Sequence, residues 1–429
     1  MFTQSEVRPD QARQARRWRP RVGAIKVAAG VAVLAMAAAA CGSSSPSTSG
    51  QSGTSGAGTS STSAAPSAGG SSATTAASSG TTAGGGSAQP AAGKVKGSGK
   101  FLACMVTDTG GINDRSFNAS AYLGLQDASK SDSDISYTYL QSNSTSDYVP
   151  NINALIQKKC KIIVTVGFDM ANATLAAAKK NPSVKFTIVD NTYPSEPKNL
   201  LALHYDTNED AFLGGYLAAA MSKTDKVGTF GGQDIPTVTI YMDGWVAGVR
   251  YYDKVNNAHV VALGWTPKDP RPKNSFEGTG TFTNNFTSSS LGEQDAQALM
   301  AQGADVVFPV AGAVGLGSAA AVKQKGAGYM MEWVDVDGCV SAPQYCSLFI
   351  TSVTKGIVPS VEQAVTSAAK GTFKGGQYNG TLANNGVALS PFHDYAGKVP
   401  AKVQTELKTL KAGIISGKIS TDPNSYPAS

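Results

Sequence analysis

The chain has 429 residues, enough for two or three domains, yet only 15% are charged and 47 are glycine. Its formal charge of +6 is concentrated at one end, because residues 1–40 carry seven Arg and Lys against Glu6 and Asp10 and leave the remainder near neutral. That excludes a body coated in positive charge for nucleic-acid backbones. A polytopic membrane protein is excluded as well, since the only long apolar run, Val27 to Ala40, falls short of the roughly 20 residues that span a bilayer.

Taken in chain order, the first part is a basic segment ending at Lys26, an apolar Val/Ala segment, and Ala38-Ala39-Ala40-Cys41-Gly42. Residues 1–40 read as a secretory signal with small residues at its cleavage site. A Cys directly after those residues resembles the lipobox of bacterial lipoproteins, although Ala38 stands where Leu or Val is usual. The resemblance implies acylation of Cys41 by diacylglycerol and palmitate. From Gly42 to Gly93 only Gly, Ser, Thr, Ala, Pro and Gln occur. Such a stretch buries too little surface to offset its ordering entropy, so residues 41–99 are expected to be a disordered tether. The expected location is the outer face of the cell membrane, through the lipid anchor.

Beyond Cys41 there are Cys104, Cys160, Cys339 and Cys346, an even number suited to an oxidising compartment. Pairing within each near set is expected. No CxxC occurs and His204, His259 and His393 show no ligand spacing, so neither a metal nor a cofactor is expected.

Past Lys100, β-branched runs alternate with Ala/Leu-rich segments. Strands are expected at 101–106, 136–140, 162–166 and 185–189, with helices at 116–129, 148–158, 170–180 and 209–221. A second series predicts strands at 226–230, 260–265, 306–310 and 328–333, with helices at 237–256, 290–301 and 317–325. Continuous apolar strands between helices argue an α/β fold with parallel sheets covered on both faces. The last third is less regular: 347–352 is apolar, 359–370 and 402–416 are helical, and 378–389 is strand-rich. Its strands fit as edge pieces crossing between two Rossmann-like lobes. The lobes are expected at 100–225 plus about 352–380, and at 226–351 plus about 381–425, with a ligand cleft at the strand ends.

The first strand runs into Thr107-Asp108-Thr109-Gly110-Gly111-Ile112-Asn113-Asp114-Arg115-Ser116-Phe117-Asn118. Asp114 and Ser116 read equally as helix caps, and Phe117 as core packing. The whole string is more specific than its parts. It resembles the TD-x-GG-x-x-DRSFN signature of the basic membrane lipoprotein family, the purine nucleoside receptor group of solute-binding proteins that serve ABC transporters. In the same family order stand Gly167-Phe168, Val189-Asp190, Gly231-Gly232, Asp243-Gly244-Trp245, Ala311-Gly312, Val334-Asp335 and Thr351 to Lys355, so that the resemblance covers residues 100–425.

The resemblance implies the type I periplasmic-binding-protein fold and no catalysis. It also implies a monomer that delivers a purine nucleoside to a permease with its ATPase subunits. Phe117 and Phe286 would sandwich the base, with Asp108, Asn118, Asp190, Gly312, Asp335 and Lys355 holding polar edges. Asn113, Asp169, Tyr241 and Asp337 are weaker candidates; Asp169, Asp243 and Asp337 read as readily as caps or solvated charges. The Cys339/Cys346 insertion departs from the family pattern, and 267–274 reads as a surface loop. A sugar or other small solute is the alternative ligand.

Rival motifs are weaker. Gly315-x-Gly317-x-x-Ala320 with Asp335 twenty residues on has the form of a dinucleotide fingerprint, but an exported setting maintains no nicotinamide pool. Gly97-Ser-Gly-Lys100 lacks the first Gly and the Ser/Thr of a Walker loop, and no Gly-x-Ser-x-Gly elbow occurs. A glycosidase or an adhesive surface lipoprotein is left open by composition.

Overall fold

The computed structural model describes residues 93–272 and 275–428; the signal, Cys41 and nearly all of the expected tether lie outside them. The described chain runs β1 (Phe101–Val106), α1 (Phe117–Ser131), β2 (Ile135–Leu140), α2 (Tyr148–Gln157), β3 (Ile162–Val166), α3 (Ala171–Lys180), β4 (Lys185–Val189) and β5 (Leu200–Tyr205). After a first crossing come α4 (Thr207–Met221), β6 (Lys226–Gly231), α5 (Pro236–Asn256), β7 (Val261–Leu263), β8 (Trp265–Pro267), β9 (Gly278–Gly280) and α6 (Ser289–Ala301). The same lobe continues with β10 (Val306–Val310), α7 (Gly315–Lys325), β11 (Met330–Asp335), α8 (Gly338–Ser341) and β12 (Phe349–Lys355). A second crossing leads to α9 (Ile357–Ala369) and β13 (Gly376–Gly380), a third to β14 (Val387–Leu389) and α10 (Ala401–Ile415).

Two six-stranded sheets result, ordered β2-β1-β3-β4-β5-β13 and β7-β6-β10-β11-β12-β14. The first is parallel throughout; in the second only β14 is antiparallel, against β12. Strands buried on both faces explain the unbroken apolar runs: every residue of β3 and of β10 is buried. Cys104 on β1 is bonded to Cys160, which follows α2, and Cys339 to Cys346.

The structure moves several expected boundaries. β5 and the short β9 carry little sequence signal and were not anticipated, and the expected strand 260–265 is broken at Gly264 into β7 and β8. Residues 93–96 are not free tether, because Lys96 bridges Tyr137 and Gly93 donates to the Tyr139 carbonyl at 3.0 Å. They cover the exposed edge of β2, whose unpaired groups would otherwise face solvent. The loop after β8 is also more than surface. The Arg271 side chain is nearly inaccessible and pairs with Asp243, itself fully buried and accepting from Trp265 Nε1 at 2.7 Å.

The lobe crossings come at Asp206 and Gly356, where 225 and about 352 were expected. α4 is the reason for the first shift. From Asp210 to Ala219 it is buried without a break, so it has no solvent face to offer as the last helix of the first lobe. It packs instead against α5, and glycines let the two backbones meet. A Cβ at Gly215 would stand 1.9 Å from the Trp245 carbonyl oxygen, and one at Gly248 would stand 2.0 Å from that of Phe212. The crossings lie side by side: the Asp206 amide donates to Gly380 O at 2.8 Å and the Gly356 amide to Gly386 O at 2.8 Å. Asn379 Nδ2 also donates to Asp206 Oδ2 at 2.7 Å.

Gly248→Ala forces α4 and α5 apart and should cost about 3 kcal/mol or more in urea unfolding, with the midpoint lowered and the transition still cooperative. Glu332 on β11 is a second lever. It is fully buried, accepts from Trp245 Nε1 at 2.8 Å, and burial raises its pKa to about 8, against that single opposing hydrogen bond. The folded protein thus holds a proton that the unfolded chain releases near pH 4.5. Stability is therefore lost as pH rises from about 4.5 to about 8 and is level above. Glu332→Gln keeps the acceptor for Trp245 and should remove this slope, worth roughly 3–5 kcal/mol across the interval. Thermal melts of both proteins at pH 5 and pH 8 read the difference directly.

Candidate functional site

The carboxyl ends of both sheets face one cleft, lined by residues of both lobes. Its floor is an ion cluster. Lys355, the last residue of β12, places Nζ 2.5 Å from Asp190 Oδ2 and 3.5 Å from Asp335 Oδ1. The three side chains are nearly inaccessible, with residue exposures of 8, 5 and 6%. Burial alone would discharge the ammonium, but the two carboxylates outweigh it and the Lys355 pKa is raised. Asp190 follows β4 and Asp335 ends β11, strands in the same position of their respective sheets. Both adopt left-handed backbone, φ 66° and 67°, which Asp tolerates better than most residues and which turns each carboxylate back over the strand end. Rings flank the cation: the Phe117 and Tyr241 centroids lie 5.1 and 5.0 Å from Nζ.

The β1–α1 turn builds the opposite wall. Asp114 is a local cap, accepting the amides of Ser116 at 3.1 Å, Asn118 at 2.6 Å and Ala119 at 2.9 Å. With those amides taken, the Ser116 hydroxyl is free to reach across the lobes to Asp335 Oδ2 at 2.7 Å, close also to Val334 O at 3.2 Å. Asn118 Nδ2 donates to Asp108 Oδ1 at 2.7 Å and the Gly110 amide donates to the same oxygen at 2.7 Å. Burial, only partly opposed by these donors and reinforced by Asp114 and Asp169, raises Asp108 to about 7. Gly167, with φ 119°, leaves room for this carboxyl, since a Cβ there would come 3.2 Å from its Oδ2.

On the second lobe Phe286 lies in the loop after β9. Its ring covers the backbone of Gly232, where a Cβ would stand 2.1 Å from the ring edge. This contact explains the Gly231-Gly232 pair after β6.

Asp108, Phe117, Asn118, Asp169, Asp190, Tyr241, Phe286, Gly312, Asp335 and Lys355 all line the cleft. Asn113 and Asp337 do not. Asn113 is exposed, and Asp337 caps α8 through the Cys339 amide at 3.0 Å while its other oxygen meets His393 Nε2 at 2.6 Å. Asp337, Cys339 and His393 converge, but the Cys339 sulfur is committed to its disulfide. Tyr148, Phe168, Gln233 and Thr237 also line the cleft and were not among the expected contacts; Phe168 stands in the Gly167-Phe168 motif, and the other three are marked only by following strands β2 and β6. The dinucleotide-like glycines serve packing. A Cβ at Gly317 would stand 1.7 Å from Ser289 O, so that glycine seats α7 on α6, while Gly315 abuts Trp333.

Residues 101–274 and 278–420 match the family described as ABC transporter substrate-binding protein, PnrA-like. The ABC transporter nucleoside-binding protein BmpA of Lactococcus lactis is 31% identical over 351 residues, covering 76% of this chain and 90% of that protein. The CD4+ T-cell-stimulating antigen of Listeria monocytogenes is 30% identical, covering 76% and 88%. Among solved structures, an ABC transporter solute-binding protein from Aeropyrum pernix superposes with a TM-score of 0.65 at 23% identity, covering 75% of this chain and 92% of that one, and so supports the type I periplasmic-binding fold. This match over nearly all of the described body shows that the chain belongs to the PnrA-like family of ABC transporter substrate-binding proteins.

Proposed function

We propose that this protein binds a purine nucleoside between Phe117 and Phe286 and hands it to an ABC permease. The supporting observation is that Phe117 and Phe286 line one cleft together with Asp108, Asn118, Asp190, Asp335 and Lys355. A flat purine offers its faces to the rings, and its N–H groups and ribose hydroxyls are donors that carboxylates accept. Charge narrows the choice further. Five carboxyl groups, Asp108, Asp114, Asp169, Asp190 and Asp335, line the cleft against the single ammonium of Lys355. A phosphate would be repelled, which favours a nucleoside over a nucleotide.

The groups bind and orient on this reading, which is of a non-catalytic receptor like the substrate-binding proteins of the family. Ligand enters between parted lobes, which close about the crossing segments, and the closed form is what a permease would engage. A Cys41 lipid anchor and the Gly42–Gly93 tether would hold this body at the outer membrane face. Among the described residues no helix is long and apolar enough to cross a membrane.

Two measurements test the reading. Solute released by denaturing the purified full-length protein is identified by mass, and inosine, guanosine, adenosine, a nucleoside monophosphate and ribose are then titrated by calorimetry. Heat with a purine nucleoside and none with the monophosphate is expected. Phe117→Ala should weaken the nucleoside by about 10- to 100-fold through lost stacking; unchanged affinity would refute the sandwich, and heat with ribose alone would assign a sugar. Asp108 supplies a pH signature. If it accepts from the base it must be ionised, so affinity should climb up to tenfold per pH unit below about 7 and level off above. Asp108→Asn should flatten that profile.

A further inference from the structure

Besides the ion cluster and the Ser116–Asp335 hydrogen bond, a further contact among the described residues joins the lobes beside Asp114, which lines the cleft. Arg115, exposed and held at φ 54° in the β1–α1 turn, donates from Nη1 to the carbonyl of Ser341 at 3.0 Å. Ser341 is the last residue of α8, so its carbonyl has no helical partner of its own. It also lies within the loop that the Cys339–Cys346 disulfide closes. The N-terminal flank of that loop is fixed to the second lobe, and its other end runs into β12 at Phe349. The Gly338 amide donates to Ser352 Oγ of β12 at 2.9 Å, and Asp337, which caps the helix, is held by His393. The acceptor is thus held on a covalently closed loop anchored to one lobe, and the donor is offered by the other.

We propose that Arg115 and the disulfide-closed loop form a latch across the cleft mouth, which prolongs the closed form and so sets how long solute stays bound. The latch touches no ligand; Arg115 is a positioning residue. It rests on the solute-binding function of the family and not on the identity of the solute. Its strength has a natural scale, since an exposed hydrogen bond from a charged group shifts an open–closed balance by a small factor. The disulfide contributes by removing alternative positions of the Ser341 carbonyl, so its effect is expressed through the Arg115 contact.

The test uses the full-length chain and the variants Arg115→Ala, the double substitution Cys339→Ser with Cys346→Ser, and all three changes together. Inosine dissociation is followed by tryptophan fluorescence in stopped flow. Arg115→Ala should dissociate about three- to tenfold faster with association unchanged. The serine pair should act in the same direction, and the combined variant should be no faster than Arg115→Ala alone by more than about twofold, because both changes break one device. A second readout needs no ligand: paired labels attached by non-cysteine chemistry at the exposed Lys130 and Lys325, one on each lobe, report the distribution of interlobe distances. That distribution should broaden toward longer distances in every variant. If inosine fails to bind the parent protein, the nucleoside reading falls and the distance distribution still decides the latch. The latch is overturned by Arg115→Ala leaving the distance distribution as in the parent, or by effects of Arg115→Ala and the serine pair that multiply independently.

Discussion

The architecture depends on one buried charge. Lys355 ends the strand of the second lobe that leads into a crossing, and its ammonium is shared by Asp190 of the first lobe and Asp335 of the second. Removing either carboxylate would leave a buried cation under-compensated, and removing the lysine would leave two acids facing each other in a desolvated floor. The same ion group fixes the approach of the two sheets, holds two aspartates in left-handed backbone and sets Phe117 and Tyr241 around it. Because Gly356 follows directly and is hydrogen-bonded to a neighbouring crossing segment, any rotation of the lobes must act on Lys355. Site and hinge are therefore mechanically one object.

Much of this was legible because the two lobes repeat one scheme. Val189-Asp190 and Val334-Asp335 end strands in equivalent places, and Gly167 and Gly312 both take positive φ after the central strands β3 and β10. Apolar runs gave the strands, and a string as long as Thr107 to Asn118 gave the turn. What escaped the sequence was decided by tertiary context. β5 is a short Leu-Leu-Ala run that looks like loop until β4 and β13 pair on either side of it. α4 belongs to the second lobe only because glycines on it and on α5 permit backbone contact, a property of the pair that neither helix shows alone. Asp337, a weaker ligand candidate that reads as readily as a cap, is a cap, because the chain turns into α8 at Gly338, directly after it.

The capping network shows how a local rule frees a residue for the site. Asp114 takes three amides of the α1 start, a task its neighbour Ser116 would ordinarily share. Ser116 stands at the cap position yet makes no cap bond, and its hydroxyl crosses to Asp335 instead. The departure from local preference is where the two lobes recognise each other, as expected when tertiary function overrides propensity.

The net charge of the chain and the charge of the cleft point in opposite directions. The chain is +6, largely from its first forty residues, whereas the cleft holds five carboxyl groups and one ammonium. Those five are not five negative charges. Burial raises Asp108 to about 7, so it is only partly ionised at neutral pH, and Asp190 and Asp335 share the charge of Lys355. On the proposed reading, this acceptor-rich lining with the rings of Phe117 and Phe286 would suit an uncharged donor-bearing molecule better than an anion. Overall charge is thus uninformative about the partner, and on that reading the local balance at the strand ends would select it.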